Sequence, residues 1–316
     1  MDLKSRIEAV NKILEENLPR DESLGKLTEA MSYSVLNGGK RLRAIMMMEA
    51  AALYTNDSFI IKELVEPFAA AIEFIHAYSL VHDDLPAMDN DVLRRGMPTT
   101  HVKYGHAMGV LTGDALLNYA YEKISGVFGK LKTIADMEFQ NELFRRVGEA
   151  FAVIASKPGY KGMIGGQVID TAVEYPYGLS DEYDEKTIED KLGYGLRIYE
   201  LKTSQLLEVS VMCGAILGGA DSNDVALLEK AGYGLGLAFQ IQDDILDMTS
   251  TAEVLGKSVN IDEKNDKPTV ARIVGLENAR KLVEKYTEEA VNSLKALGKQ
   301  TEFLEELFIS LINRTK

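Results

Sequence analysis

Apolar residues recur every three or four positions along most of the chain, and polar turns separate these stretches. Leu3, Ile7, Val10 and Leu14 show the spacing clearly and predict a first helix that closes near Pro19, with a second helix running to about residue 36. The segment from Pro67 to His82 is apolar on all sides and predicts a buried central helix that begins at the proline. Further helices are predicted around residues 45–54, 99–129, 135–157, 165–170, 186–217, 222–249, 276–297 and 300–312.

The chain shows no alternating strand pattern of useful length, no short repeat and no low-complexity linker. Its length of 316 residues is a soft indication of two domains, but large single-domain folds reach this size. Each half contains an apolar helix that ends in a cluster of aspartates. We therefore expect an all-α protein with one domain over residues 1–316, in which Gly109, Gly113 and Gly126 allow close helix packing.

Two clusters of carboxylates carry the first indication of chemistry. The first comprises Asp83, Asp84, Asp89 and Asp91 and is followed by Arg94 and Arg95, and the second comprises Asp243, Asp244 and Asp247. Carboxylates massed in this way repel one another unless a cation lies between them, and hard oxygen ligands suit Mg²⁺. The alternative for the first cluster alone is a solvated acidic loop. Because both clusters end apolar helices, we expect them to form two walls of one metal-filled cavity.

Basic segments indicate that an anion is bound as well. The sequence Gly38-Gly39-Lys40-Arg41-Leu42-Arg43 combines a flexible turn with three cations at the start of a helix, where cations are unfavourable unless an anion is present. Diphosphate is the obvious candidate, and an exposed basic turn is the alternative. His76 lies about two helical turns before Asp83. Lys202 and Thr203 in the middle of a helix predict local bending and an anion contact, or simply a surface lysine.

Composition narrows the class of protein. The net charge of −14 argues against nucleic acid or an anionic membrane as a partner, although basic clusters can still attract an anionic substrate. The single cysteine, Cys213, excludes an internal disulfide and fits a reducing cytosol. The N-terminus has no apolar secretory core, and no apolar run reaches the roughly 18 residues of a membrane span. We expect a cytoplasmic protein without a membrane anchor.

Together these segments resemble the trans-isoprenyl diphosphate synthases over essentially the whole chain. Five blocks occur in the order of that family: Gly38–Arg43, the first aspartate motif with Arg94 and Arg95, Gly166–Asp170, Lys202-Thr203, and Phe239–Asp247. The resemblance implies a helical bundle around a deep central cavity, usually as a homodimer. It also implies head-to-tail condensation of isopentenyl diphosphate with an allylic diphosphate, with Mg²⁺ at about three ions per active site and Mn²⁺ as an alternative.

The resemblance implies a role for each matching residue. Metal ions on the allylic diphosphate would be held by Asp83, Asp84, Asp89, Asp243, Asp244 and Asp247. The allylic diphosphate itself would be contacted by Arg94, Lys202, Thr203, Gln240 and Lys257. Isopentenyl diphosphate would be held by Lys40, Arg43, His76 and Arg95. Gln167 and Asp170, which share a helix face, would support the metal site. Asn260 departs from the family, which often has a glycine there, so the loop conformation after Lys257 is open.

The resemblance also suggests the length of the product. Tyr78 lies about 7.5 Å before Asp83 along the helix axis, where a bulky ring would form the floor of the cavity, and Ser79 beside it is small. This pattern resembles bacterial farnesyl diphosphate synthases and predicts a C15 product, with a C20 product as the alternative. The other possibility for Tyr78 is simple packing between helices. Two rival classes fit less well. A class I terpene cyclase needs only one diphosphate site, so the basic segment Gly39–Arg43 and the second full aspartate motif argue against it. A regulatory subunit of a two-chain synthase would lose its aspartate motifs, and here both are intact.

Overall fold

The computed structural model describes residues 2–174, 187–249 and 269–313. These residues form helices and one short β-hairpin, which confirms the all-α prediction. The chain divides into two compact units, Met1–Ala152 with Cys213–Ala220, and Val153–Met212 with Asp221–Lys316. The expectation of a single domain over residues 1–316 stays a prediction.

The helices of the described residues follow in chain order. They are α1 (Leu3–Asn17), α2 (Lys26–Leu36), α3 (Leu42–Ala52), α4 (Ser58–Ile60), α5 (Glu66–Asp83), α6 (Thr100–Tyr104), α7 (His106–Leu131), α8 (Met137–Ser156), α9 (Met163–Glu174), α10 (Ile188–Tyr199), α11 (Gln205–Gly218), α12 (Ser222–Thr249), α13 (Val270–Val274), α14 (Leu276–Ala296) and α15 (Glu302–Ile312). A single 3₁₀ turn, Glu22–Leu24, precedes α2, and strands β1 (Leu93–Arg94) and β2 (Met97–Pro98) precede α6.

The helix predicted to begin at Pro67 extends further upstream. A π-helical turn, Ile61–Val65, joins α4 to α5 without a break. Proline lacks the N–H that would continue an α-helical ladder, and a wider turn just before it accommodates this loss. The joined helix, Ser58–Asp83, is the one candidate among the described residues that is long and apolar enough to span a membrane, but 78% of its most apolar window is buried inside the protein. It forms the core of the first unit, with Phe68, Phe74 and Ile75 fully buried.

The long helix predicted over residues 99–129 is interrupted at Gly105. This residue has φ of 93° and separates α6 from α7. Two of the predicted packing glycines are confirmed, because a Cβ on Gly109 would lie 3.0 Å from a Leu85 side-chain atom and one on Gly113 would lie 2.0 Å from Nε2 of His82. The same prediction is wrong for Gly126, because a Cβ built there would have no atom of another described element within 4 Å.

The hairpin was not predicted because its strands are too short to show alternation. Leu93 pairs with Pro98 and Arg94 with Met97 in an antiparallel ladder. The two turn residues, Arg95 and Gly96, both have positive φ, as in the tight turns that match the twist of a hairpin. The hairpin thereby fixes the backbone on which both arginines of the first motif lie. Helix α13 was also missed, because its five residues are too few for a helical period.

Close helix contacts organise the second unit. A Cβ on Gly236 of α12 would lie 2.5 Å from Cα of Ser204, and one on Gly166 of α9 would lie 2.6 Å from the backbone N of Lys202. Both glycines therefore admit the segment Glu200–Ser204, which forms a π-helical turn between α10 and α11. The segment around Lys202 and Thr203, where bending was predicted, thus departs from α-helical geometry, and π-turns are frequent at functional sites.

Candidate functional site

A cavity of about 660 Å³ lies in the first unit beside the turn between α2 and α3. It is lined by Asn37, Gly38, Gly39, Lys40, Arg41, Leu42, Arg43, Glu73, His76 and Arg95. The turn supplies most of the lining, α5 supplies Glu73 and His76, and the hairpin supplies Arg95. Residues that are far apart in sequence but were assigned to one anion site therefore do line a common cavity.

The two glycines of the turn allow Arg95 to approach the backbone. Gly38 and Gly39 have φ of 75° and 115°, a region that residues with a side chain rarely adopt. Nη1 of Arg95 donates a hydrogen bond of 2.5 Å to the carbonyl oxygen of Gly38. A Cβ on Gly39 would lie only 2.8 Å from the same nitrogen. The glycines thus serve both the turn and the placement of the arginine.

The cations of the cavity are arranged for an anionic ligand. Nε of Arg43 is buried and has no hydrogen-bond partner among the described residues. Buried donors are nearly always paired in proteins, so this one indicates a ligand atom. Burial, reinforced by Arg43, Arg95 and the other nearby arginines, holds the pKa of His76 well below its usual value of 6.5, so the ring is neutral in the free protein. An N–H of the neutral ring remains available as a donor.

Arg41 differs from its two basic neighbours. Its side chain is only 6% exposed, and Nε donates a hydrogen bond of 2.8 Å to Oδ1 of Asn11 in α1. Its Nη1 lies 3.7 Å from Oε2 of Glu73. The sequence grouped three cations in this segment, whereas the structure directs one of them into the protein. Glu73 was not singled out from the sequence, since nothing in an apolar helix pattern marks it as a partner of Arg41.

The first aspartate motif begins at the end of α5. Asp83 is half-buried, Asp89 is exposed, and the backbone N of Asp89 donates to the carbonyl oxygen of Asp83 at 2.9 Å. The turn between Asp83 and Asp89 therefore folds back, so that the backbone atoms of the two residues lie next to each other.

Asp84 has different surroundings from these two aspartates. It is 3% exposed, and its carboxylate accepts hydrogen bonds of 2.5 to 3.0 Å from Nε and Nη2 of Arg94. Burial raises the pKa of Asp84, and the hydrogen bonds from Arg94 oppose that shift. The sequence predicted Asp84 as a metal ligand and Arg94 as a contact of the allylic diphosphate. In the structure, these two residues form an ion pair with each other.

The second aspartate motif lies near the end of α12. Asp243 and Asp247 are half-buried, one helical turn apart as the spacing predicted. Asp244 is buried, and its Oδ2 accepts a hydrogen bond of 2.6 Å from the hydroxyl of Tyr199 and one of 3.4 Å from the backbone N of Ala271. Asp244 thus contacts the first turn of α13, and its metal contact stays a prediction.

The remaining predicted residues of the second unit form two side-chain pairs. Nζ of Lys202 donates to Oδ2 of the buried Asp170 at 2.6 Å, and Oγ1 of Thr203 donates to Oε1 of Gln240 at 2.9 Å. Gln167 lies one turn before Asp170 on α9, as predicted. The structure therefore pairs Lys202 with Asp170 and Thr203 with Gln240, four residues that were all assigned to the site from the sequence. Lys257 and Asn260 lie outside the described residues.

The donor chemistry suits magnesium. Among the described residues no three His, Cys, Asp or Glu side chains form a group that could hold a metal ion. Mg²⁺ usually takes only one or two carboxylates and fills its shell with waters and substrate phosphate oxygens. Asp83 and Asp89 in one motif, and Asp243 and Asp247 in the other, offer that kind of partial oxygen shell.

Tyr78 is 6% exposed on α5. Its ring meets that of His82 edge-on, with centroids 5.8 Å apart, and burial raises the pKa of its hydroxyl to about 12. Ser79 is half-buried, and its hydroxyl donates to the carbonyl oxygen of His76 at 2.9 Å. The ring is therefore buried on α5, and its role as the floor of a product cavity stays a prediction.

Comparison with known proteins agrees with this arrangement. The family described as Polyprenyl synthetase matches residues 25–306. A heterodimeric geranylgeranyl pyrophosphate synthase large subunit from Arabidopsis thaliana is 40% identical over 92% of this chain and 72% of its own. The farnesyl diphosphate synthase of Geobacillus stearothermophilus is 37% identical over 93% of this chain and 90% of its own. Among solved structures, a Helicobacter pylori geranyltransferase complexed with magnesium and isoprenyl diphosphate has a TM-score of 0.76 at 30% identity, covering 98% of this chain and 95% of its own.

Proposed function

Since the chain belongs to the polyprenyl synthetase family and is a trans-prenyltransferase, we propose that it condenses isopentenyl diphosphate with dimethylallyl or geranyl diphosphate to give farnesyl diphosphate. The cation-lined cavity beside Gly38 and Gly39 carries this proposal. It provides an anion subsite in a protein of net charge −14, and it is distinct from the carboxylates of the first motif. A reaction between two diphosphates requires such a separate cationic subsite.

Isopentenyl diphosphate binds in this cavity. Lys40, Arg43 and Arg95 neutralise its charge, and Nε of Arg43 gains the acceptor that it lacks among the described residues. His76 donates a hydrogen bond from its neutral ring, which adds an interaction without adding another desolvated cation. These contacts hold the substrate so that its double bond is presented to the allylic partner.

The allylic diphosphate is held by Lys202, Thr203 and Gln240, together with Arg94 and the Lys257 of the sequence prediction. Mg²⁺, when bound, supplies Lewis-acid stabilisation of the charge that develops on the departing diphosphate. Asp83, Asp89, Asp243 and Asp247 are the residues that would hold it. Asp84 and Asp244 act mainly by fixing Arg94 and the start of α13, in keeping with their contacts. That both motifs serve one diphosphate stays a prediction of the sequence.

The chain contributes orientation and water exclusion to the reaction. The allylic C–O bond breaks, diphosphate leaves, and the double bond of isopentenyl diphosphate forms the new C–C bond. A proton is then lost, and the departing diphosphate is the base that accepts it. The apolar residues of α5 around Tyr78 keep water from the carbocation. Asp170 fixes the ammonium group of Lys202 by its hydrogen bond, so that this cation is pre-oriented for the leaving group.

The length of the product is the finer part of the proposal. The buried Tyr78 ring supports a C15 product, while relatives named for geranylgeranyl products support C20 as the alternative. We also propose, from the resemblance and from the oxygen ligands, a homodimer in the cytoplasm that uses about three Mg²⁺ ions per active site, with Mn²⁺ as the alternative metal.

The test is product analysis. Radiolabelled isopentenyl diphosphate is incubated with dimethylallyl, geranyl or farnesyl diphosphate, and the extracted products are separated by chain length. We expect C15 from the two shorter primers and little extension of farnesyl diphosphate. Mainly C20 would establish the alternative. Turnover of an allylic substrate when isopentenyl diphosphate is omitted would indicate a terpene cyclase, and no turnover with any primer would contradict the proposed activity.

A further inference from the structure

Glu73 is the one carboxylate among the described residues that line the cavity, four of which are the cations Lys40, Arg41, Arg43 and Arg95. It is buried on α5, and its Oε1 accepts a hydrogen bond of 3.2 Å from the backbone N of Ala44. Ala44 belongs to the first turn of α3, whose N–H groups have no acceptor within the helix. Glu73 therefore caps α3 from a different helix and connects α5 to the turn that carries Lys40 and Arg43.

Arg41 is the second partner of Glu73 and has an unfavourable backbone conformation. It stands at the N-terminal boundary of α3 with φ of 51° and ψ of 31°, in the left-handed region that residues other than glycine rarely adopt. Such a conformation persists only when the surroundings enforce it. Here Asn11 of α1 accepts from Nε, and Glu73 of α5 lies 3.7 Å from Nη1.

The two partners therefore fix the backbone between Lys40 and Arg43. Without these partners, the backbone of Arg41 would relax toward the common helical or extended conformations. The side chains of Lys40 and Arg43 would then point in different directions. Burial lowers the pKa of both Arg43 and Arg95, and the charge of Glu73 opposes this shift. The carboxylate of Glu73 thus also favours the charged forms of Arg43 and Arg95, which lie close together.

We propose that Arg41 and Glu73 form a buried positioning pair that orients Lys40 and Arg43 toward a diphosphate group in the cavity. Neither residue is required to touch the substrate. The inference rests on the proposed function for the identity of the ligand, isopentenyl diphosphate, but the placement of a diphosphate in the cavity is tested without turnover.

The opposing possibility is that Glu73 acts only through its charge. Removing a carboxylate from beside the cations would then raise the positive potential and strengthen diphosphate binding, whereas a positioning role predicts weaker binding. The two roles therefore give effects of opposite sign in Glu73→Gln, which nearly preserves the shape of the side chain.

The experiment is a calorimetric titration of inorganic diphosphate in the absence of divalent metal. The proteins are the full-length wild type, Glu73→Gln, Arg41→Gln, the double variant, and Lys40→Ala to identify binding that depends on the cavity. We expect each single variant to weaken Lys40-dependent binding about tenfold, or ~1.4 kcal/mol. The double variant should be no weaker than the worse single variant, because both substitutions break one pair.

Steady-state kinetics provides the second readout. The KM for isopentenyl diphosphate should rise about as much as the dissociation constant, while the KM for geranyl diphosphate changes less than about twofold. Glu208→Gln is the matched control, since Glu208 is also a buried carboxylate paired with a lysine, Lys157, but lies in the second unit. It should lower the melting temperature without changing either KM.

The outcomes separate the two proposals. Tighter or unchanged diphosphate binding in Glu73→Gln, additive effects in the double variant, or no Lys40-dependent binding in the wild type would overturn the positioning pair. Weaker binding in both single variants of a protein that makes no prenyl product would support the pair and contradict the proposed function instead.

Discussion

Replacing Tyr78 with Ala should lengthen the product at a cost in stability. Tyr78 is only 6% exposed, so the substitution removes a ring whose surface is almost entirely buried in the core. A buried aromatic side chain covers about 150–250 Å², which at ~25 cal/mol per Å² corresponds to roughly 4–6 kcal/mol as an upper bound. Measured losses for buried aromatic residues changed to alanine are about 3–5 kcal/mol, and we expect this range.

The remaining space determines the effect on the product. Tyr78 precedes Asp83 by five residues, or about 7.5 Å along the helix, so the space would open away from the motif. A chain growing in that direction could enter it, and products of C20 or longer should appear. Because a buried cavity costs about 24 cal/mol per Å³, a long-chain diphosphate that fills it should also raise the melting temperature of the variant more than that of the wild type.

The assay compares three proteins by product length and thermal unfolding. Tyr78→Phe keeps the ring and removes the hydroxyl whose pKa is raised to about 12, so it is the matched control and should still make C15. Circular dichroism confirms that Tyr78→Ala is folded at the assay temperature. Tyr78 does not limit the product if the folded Ala variant still stops at C15, or if the wild type already makes mainly C20.

Five further substitutions test the other parts of the site. Asp83→Ala or Asp243→Ala should remove most of kcat at saturating Mg²⁺ while the protein stays folded. Each substitution would remove a carboxylate that holds Mg²⁺, and Mg²⁺ stabilises the charge that develops in the transition state. Arg43→Ala should chiefly raise the KM for isopentenyl diphosphate, whereas Lys202→Ala should raise the KM for the allylic substrate and lower kcat. His76→Gln should flatten the loss of stability in acid, measured by urea unfolding between about pH 7 and pH 5. The folded protein holds the pKa of His76 well below 6.5, so the unfolded chain binds the proton better and wild-type stability falls as the pH drops below about 6.5.

Each of these predictions has a control and a contrary outcome. For the aspartates the control is Asp114→Ala, an exposed carboxylate on α7, and near-normal turnover of either motif variant would remove that residue from the metal site. For the cations, equal changes in both KM values from both variants would mean that the subsites are misassigned. For His76, equal slopes of stability against pH in wild type and variant would show that the buried ring does not contribute to the acid sensitivity.

The sequence alone determined the helical class and the approximate position of most long helices. This succeeded because amphipathic spacing, turn residues and prolines act locally, within one or two helical turns. It also predicted close packing at Gly109 and Gly113, because small residues within an apolar helix let a neighbouring element approach, although the same signal failed at Gly126. It failed where the signal was too short, as in the hairpin and α13, or where one glycine ended a helix, as at Gly105.

Only the tertiary structure decided which neighbouring residue serves which role. Lys40 and Arg41, or Asp83 and Asp84, look alike in sequence, but the two members of each pair have different burial and different partners in the fold. Arg41 is directed into the protein by two distant residues. Asn11, thirty positions earlier, accepts a hydrogen bond from its guanidinium group, and Glu73, on another helix, forms an ion pair with it. Asp84 is paired because the hairpin brings Arg94 to it. The partner of each side chain therefore depends on residues that are distant along the chain, and the local spacing of residues in the sequence does not reveal which of them will be close in the fold.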